Sequence, residues 1–499
     1  MFTSDDCIYC PPIESIVQEV VGGTMSDFIY VNTVDVDENP DAAERYNITS
    51  LPTLMINEQI VLQGGMDDDS VREILWNTLL SLAVANKERL ERSKKSLLHI
   101  AVNSWESLTG ERMLRKTLGD FIHLGPYQLT LLSLYSLDPL VPSILYQAGY
   151  QLGLYGLMHH VLSVLEPRLG LTIQRQKRLK YITEALEYYY ADREFLPTYV
   201  AESARIVSLK EDQFTIEIRG LASAAMGINV GEPMCDFTAG TLAGVTDSLM
   251  GSQSVAVETA CAANGNPHCV FTVYIDHPNP QEIRKTPVVE DKLAIRERRL
   301  NFYESIHELS INLENSYFMR RRLRPTIGDV VHISVFQPIV LSIKMMDDYL
   351  SSILFSAGRE LGIFGSGKTL LYDIIQTDES EEFSQLLPLE FNEGVDVLKE
   401  FMTHPTTYLA KEWGLVKVSP VDPANPNVRY ISISDYGAVS GVPDLGITLC
   451  DFLAGFLTGR LSVIIGAEPM VREIECQGTG ASSCKFEIVK PDNLPDSDS

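Results

Sequence analysis

"CDFTAGTLAG" runs from Cys235 to Gly244, and "CDFLAGFLTG" runs from Cys450 to Gly459, 215 positions further on. The pair decides the fold because it belongs to a longer internal repeat. "RKTLGDFIHL" from Arg115 returns as "RPTIGDVVHI" from Arg324, and "SILYQAGYQLGLYG" from Ser143 returns as "SILFSAGRELGIFG" from Ser352, both at an offset of 209. One small insertion between these blocks and the cysteine block explains the change of offset. Two copies of one domain follow, over 86–280 and 281–490, the first with a charged connector helix, "NKERLERSKKSLLHIAVNSWESL", at its start. In the first copy, helices come first, then a hairpin-like "ARIVSLKEDQFTIEIRGL", the Cys235 helix, and strands around "SVAVETA" and "CVFTVYI". Helices segregated from an antiparallel sheet define an α+β domain. Gly240 and Gly244 lie four apart on one face of the Cys235 helix, where their cost in helix stability is explained by close approach of another element.

The chain has 499 residues, more than one compact core can hold, and 45% hydrophobic with 21% charged residues is ordinary globular composition. A net charge of −27, from 40 Lys+Arg against 67 Asp+Glu, argues against general binding to nucleic acid or to an anionic membrane surface. The basic run "MRRRLR" (Met319–Arg324) reads as a solvated helix end. The most apolar stretch, "VPSILYQAGYQLGLYGLMHHVLSVL", is broken by Gln, Gly and His, which suits a buried helix better than a membrane span. No N-terminal segment has the order of a signal peptide, so a cytoplasmic, reducing compartment is expected.

The eight cysteines form three groups: Cys7 and Cys10; Cys235, Cys261 and Cys269; Cys450, Cys476 and Cys484. Cys261 follows Cys235 by 26 positions, as Cys476 follows Cys450, and Cys269 and Cys484 each lie 8 further on. The loop between the last two has drifted from "AANGNPH" to "QGTGASS", while the cysteines stayed in place. Zn²⁺ takes four tetrahedral ligands, and three thiolates leave one position to fill. Glu258 and Glu473 fill it, each three residues before the middle cysteine of its copy. Residues three apart on a regular strand face opposite sides, so a bulge or bend is required. His268 competes as a ligand in the first copy, but Ser483 stands at its place in the second. A reduced thiol cluster and a Cys261–Cys269 disulfide are the alternatives; two closed structural zinc sites, one per copy, are favoured.

Residues 1–85 alternate differently: "CIYC", the helix "IESIVQEVV", the strand "FIYVNTVDV", the short helix "PDAAERYN", a hairpin after Pro52, and the helix "SVREILWNTLL". Cys7 is placed at a helix N-terminus, where partial positive charge favours thiolate, and Cys10, one turn in, can resolve a mixed disulfide. Asp5 and Asp6 act the other way and raise the Cys7 pKa. "GSGKTLL" (Gly365–Leu371) lacks the first glycine of a P-loop and is a chance match. His123 and His332 recur at matching positions, as strand histidines with structural hydrogen bonds.

The two cysteine segments, "CDFTAGTLAGVTDSLMGSQSVAVETACAANGNPHCVFTVYI" and "CDFLAGFLTGRLSVIIGAEPMVREIECQGTGASSCKFEIV", resemble the 4-vinyl-reductase (4VR) domain, whose fold is shared with haem-NO-binding domains and TRAPP subunits. That resemblance implies a small-molecule-binding module. In related phenol-responsive regulators a Cys, Glu, Cys, Cys set binds zinc, which maps to Cys235, Glu258, Cys261, Cys269 and to Cys450, Glu473, Cys476, Cys484. The "CIYC" and "VDVDENPDAAERYNITSLPTL" segments are similar to small thioredoxins and glutaredoxins, which implies a cis proline at Pro52 beside the active Cys7 and Cys10. That family carries a full strand before its CxxC, where this chain has only "MFTS". The expected architecture is multidomain α/β plus α+β: a thioredoxin-like domain (1–85), two repeated α+β 4VR domains (86–280 and 281–490), and a disordered tail (491–499). The expected function is a cytoplasmic redox-linked sensor or adaptor with a thiol–disulfide exchange head. Its partner is a hydrophobic or aromatic small molecule, or a protein. The copies pair within the chain as a pseudo-dimer, or the chain forms a homodimer. A disulfide oxidoreductase and a TRAPP-like scaffold are the alternatives. Vinyl reduction is disfavoured, since no nicotinamide or flavin motif is visible.

Overall fold

The computed structural model describes residues 1–4, 6–21, 32–56, 59–137, 141–156, 175–191, 197–276, 292–346, 350–365, 388–403 and 413–491. The chain divides into two compact units, Met1–Glu91 and Arg92–Ser499.

The first unit contains β1 (Phe2–Thr3), α1 (Cys10–Val21), β2 (Val34–Asp35), α2 (Pro40–Arg45), β3 (Thr53–Ile56), β4 (Gln59–Gln63) and the start of α3 (Asp68–Leu108). Its sheet order is β2-β1-β3-β4, with β1 parallel to β2 and antiparallel to β3. The shortened first strand therefore still occupies the centre of the sheet. Met1 and Phe2 are buried, and Met1 packs with Ile13, Ile16 and Val17, which the i, i+3, i+4 spacing of α1 puts on one face. The expected "FIYVNTVDV" strand lies mostly outside the described residues; β2 is its described end. Cys10 is the first residue of α1 rather than one turn in, because the Cys10 N–H closes a turn on the Cys7 carbonyl at 3.2 Å. The two helices expected after the hairpin are one continuous helix, α3.

The second unit holds both repeats. The first repeat runs β5 (Phe121–His123), α4 (Leu124–Leu137), α5 (Val141–Tyr155), α6 (Arg175–Ala191), β6 (Ser203–Leu209), β7 (Gln213–Arg219), α7 (Asp236–Met250), β8 (Ser254–Ala260) and β9 (Cys269–Ile275). The second runs α8 (Lys292–Tyr317), β10 (Val330–His332), α9 (Ile333–Met346), α10 (Leu350–Phe364), α11 (Phe391–Thr403), β11 (Leu415–Val418), β12 (Val428–Ser434), α12 (Asp451–Ile465), β13 (Met470–Glu475) and β14 (Cys484–Val489). Each repeat has a four-stranded antiparallel sheet, in the orders β6-β7-β9-β8 and β11-β12-β14-β13. Alternating Phe214, Ile216 and Ile218, with Phe271 and Val273, form the buried face of the first sheet; Ile431, Ile433, Phe486 and Ile488 form that of the second. The close approach expected at Gly240 and Gly244 is made by α5, which carries its own pair, Gly149 and Gly153; in the second repeat Gly358 and Gly362 face Gly455 and Gly459.

The repeats are joined by exchange. β5 pairs antiparallel with β10, His123 opposite Val330 and Phe121 opposite His332. Ser107 of the first connector meets His332 Nε2 at 2.9 Å, and Ser316 of the second meets His123 Nε2 at 3.0 Å. Asp120 and Asp329 hold these serines and accept the backbone N–H groups of Arg115 and Arg324 respectively. Both histidines thus make the structural hydrogen bonds expected of them, and each bond crosses to the other repeat. Residues of both repeats enter one continuous apolar core. The "MRRRLR" run divides: Arg320, Arg321 and Arg322 are exposed, but Arg324 is fully buried, which corrects the solvated reading for that residue. Arg324 donates to the carbonyls of Tyr199 (2.5 Å), Val330 (2.6 Å) and Gly328 (3.1 Å). Arg324→Met would leave buried carbonyls unpaired and is expected to cost about 3 kcal/mol. Arg321→Ala is expected to cost no more than about 0.5 kcal/mol. Urea denaturation of the full chain measures both.

Among the described residues no helix is long and apolar enough to cross a membrane. All of "GSGKTLL" after Gly365, and the tail beyond Pro491, lie outside the described residues.

Candidate functional site

Local structure delivers each cysteine of a cluster from a different element. Cys235 and Cys450 are the N-caps of α7 and α12; Cys261 and Cys476 precede single 3-10 turns, Ala262–Asn264 and Gln477–Thr479; Cys269 and Cys484 open β9 and β14. Each 3-10 turn ends in a left-handed glycine, Gly265 (φ 77°) or Gly480 (φ 82°), so glycine persists where the loop has otherwise drifted. The glutamates reach the same point because the strand register slips beside them. The β8–β9 pairing shifts between Glu258 and Ala260, and the β13–β14 pairing shifts between Glu473 and Glu475. The bend that the three-residue spacing demands is present in both repeats.

In each repeat the three sulfurs and one carboxylate oxygen all lie within 4.8 Å of one another, a group that could hold a metal ion. Cys235 Sγ is 3.9 Å from Cys261 Sγ and 3.7 Å from Cys269 Sγ; Cys450 Sγ is 4.0 Å from Cys476 Sγ and 3.2 Å from Cys484 Sγ. All six thiols are free and buried, so no Cys261–Cys269 disulfide closes the hairpin. Glu258 Oε2 accepts the Cys235 N–H at 3.2 Å, and Glu473 Oε2 accepts the Cys450 N–H at 3.0 Å. The other oxygen of each, Glu258 Oε1 and Glu473 Oε1, is buried without a hydrogen-bond partner among the described residues. A buried, half-satisfied carboxylate against three thiols is the donor set of a tetrahedral thiolate-rich metal, and it fits.

The electrostatics agree. Burial pushes the carboxyls of Glu258 and Glu473 well up, Glu473 to about 8, and neighbouring Cys261 or Cys476 adds to the effect. Burial also raises the thiols of Cys235 and Cys450, whereas hydrogen bonds from the flanking thiols pull Cys261 and Cys476 down. Such a cluster keeps its protons until a cation replaces them.

His268 does not compete for the cluster: its Nε2 lies 3.1 Å from Glu217 Oε2, beside Arg205 and Arg219. One cluster neighbour escaped the repeat comparison. Ser223 Oγ lies 3.2 Å from Cys235 Sγ, and the second repeat offers no matching serine to flag it.

In the first unit Cys7 and Cys10 are joined in a disulfide. Cys10 is buried, Cys7 is half-buried, and the intervening Ile8 and Tyr9 are 77% and 54% exposed. The Leu51–Pro52 bond is cis.

A thioredoxin domain model matches residues 2–76, and the 4-vinyl-reductase (4VR) domain model matches 215–275 and 430–490. A thioredoxin of Methanocaldococcus jannaschii is 33% identical over 79 residues, 16% of this chain and 92% of that protein. An uncharacterized protein of the same organism is 35% identical over 77 residues, 15% of this chain; the chain spans 48% of that protein's length. Another uncharacterized protein from it is 24% identical over 170 residues, 34% of this chain and 82% of that protein. Through residues 2–76 the chain belongs to the thioredoxin family, and it carries behind that domain two 4VR domains, one in each repeat.

Proposed function

We propose that the chain is a cytoplasmic, redox-linked sensor or adaptor, in which a disulfide-exchanging head is covalently tied to a pair of zinc-stabilised 4VR domains. The supporting observation is one chain carrying both a cysteine pair with one half-buried member, Cys7, and one buried member, Cys10, and two buried Cys₃Glu clusters. Cys7 is the attacking sulfur, since it is the more accessible, Cys10 resolves the mixed disulfide, and Pro52 presents backbone to the partner. Zinc is the metal that three thiolates and a carboxylate suit, and four protein ligands leave no position for a reactive water. Six reduced thiols fit a reducing compartment. The division 1–85, 86–280, 281–490 and a tail describes the working parts. The strand pairing β5–β10 and the exchanged Ser–His bonds support an intrachain pseudo-dimer of the two 4VR domains. The effector is a hydrophobic or aromatic small molecule, on the strength of the resemblance alone.

The head is tested by reduction of insulin with dithiothreitol as electron source. Turnover by the full chain is expected to fall at least about a hundredfold in Cys7→Ser, because the attacking thiol is then gone. Equal rates with and without Cys7 would remove the exchange role.

A further inference from the structure

The two clusters share ligands and spacing but not the groups that touch their sulfurs. In the first, every sulfur has a donor of its own: Ser223 Oγ at 3.2 Å from Cys235, the Met234 N–H at 3.4 Å from Cys261, and the Ala262 N–H at 3.4 Å from Cys269. Once Cys235 is a thiolate, only the serine hydroxyl of that pair can donate. In the second, both donors, the N–H groups of Leu449 and Gly478, go to Cys476 at 3.3 Å. Among the described residues no N–H or O–H reaches Cys450 Sγ or Cys484 Sγ, and these two sulfurs are the closest pair in either cluster, at 3.2 Å.

The difference is built into the fold. Gln128 donates to the carbonyls of Ala222 and Ala225, and Gln337 donates to those of Gly437 and Ser440, which sets the two loops in register. In that register Ser223 corresponds to Ala438. Tyr127, which hydrogen-bonds Ser223, corresponds to Phe336. A two-hydroxyl relay behind Cys235 is thus replaced by two apolar side chains behind Cys450. Hydrogen bonds to a metal-bound thiolate withdraw charge from the sulfur and lower its nucleophilicity. All six sulfur-bearing residues are at most 1% exposed, so access is matched and sulfur chemistry decides.

We infer that Cys450 and Cys484 are the oxidation site of this protein: peroxide converts them to a disulfide and releases the second metal while the first stays bound. In this step the O–O bond of hydrogen peroxide breaks and the Cys450–Cys484 S–S bond forms. Each thiolate loses one electron, two protons are taken up, two waters leave, and the metal ion departs as a dication. The inference rests on metal occupancy of both clusters.

The test loads the full chain with zinc, confirms the stoichiometry, adds hydrogen peroxide, and follows release with a chromogenic chelator alongside disulfide mapping by mass spectrometry. The expected release is biphasic, the first equivalent at least about fivefold faster, with a Cys450–Cys484 disulfide and an intact first cluster. Ser223→Ala is expected to accelerate the slow phase about fivefold, and Ala438→Ser, which restores a hydroxyl behind Cys450, to slow the fast one. Two equivalents leaving in a single phase, or a Cys235–Cys269 disulfide appearing first, overturns the inference and leaves the metal sites standing. A zinc content of zero at the outset overturns the metal sites, and the inference with them.

Discussion

Chelating the metal from the full chain is expected to lower its thermal midpoint by about 10 °C. A site filled to about a thousand times its dissociation constant contributes about 4 kcal/mol, and each repeat carries one. Each cluster ties the N-terminus of a buried helix (α7 or α12) to the hairpin that covers it, and without a cation each leaves a buried carboxylate oxygen unpaired. The metal-free chain should also show a pH dependence of definite sign. Burial raises the Glu473 carboxyl to about 8, so this group contributes stability that is full below its unfolded value of 4.5 and is lost as pH rises through 8. The stripped protein should therefore melt lower at about pH 8 than at about pH 5, whereas the loaded protein, with metal in place of the proton, should not follow that fall. Glu473→Gln keeps an acceptor for the Cys450 N–H but removes the charge, and should cut the bound metal from two equivalents to one. Calorimetry with and without chelator is the measurement. An unchanged midpoint, or a metal-free profile that rises toward the alkaline side, would count against metal-held hairpins.

Comparing the chain with itself makes most of the candidate site legible. Cysteine spacing, the matching glutamates and the strand bend they need all follow from setting 235–275 against 450–490, because ligand geometry tolerates no drift while the loop between does. The glycine pairs are legible for the same reason. Which repeat each connector serves is not. "RKTLGD" and "RPTIGD" repeat faithfully, yet nothing local says that Ser107 bonds His332 rather than His123. The burial of Arg324 in an otherwise solvated basic run follows from that same exchange, a tertiary fact that a charge pattern does not carry. Ser223 escapes for the opposite reason: self-comparison finds what the copies share, and this contact is where they differ. In the head, the first strand is short in sequence, but two residues suffice because β1 has a neighbour on both sides.

Gly455→Ala is expected to be among the most damaging single changes in the second unit, at about 4 kcal/mol. An added Cβ would stand 1.9 Å from the Phe355 carbonyl oxygen, and at the facing Gly358 it would stand 1.8 Å from that of Phe452. The obstacle in both cases is backbone, so no rotamer change can relieve it and the helices α10 and α12 must part. The glycines interlock from both sides, Gly358 and Gly362 against Gly455 and Gly459, so separation at one point breaks the contact along both pairs. Cys450 caps α12, and therefore a displaced helix carries its first ligand away from Cys476 and Cys484. The variant should thus lose one equivalent of metal as well as stability, although the substitution touches no ligand. Gly110→Ala is the contrast. Its Cβ meets nothing within 4 Å, so only the left-handed backbone (φ +79°) is strained, at about 1 kcal/mol. Paired urea denaturation and metal analysis separate the two effects. If Gly455→Ala costs no more than Gly110→Ala and keeps both metals, the helix pair does not position the cluster, and the glycines are there for some other reason.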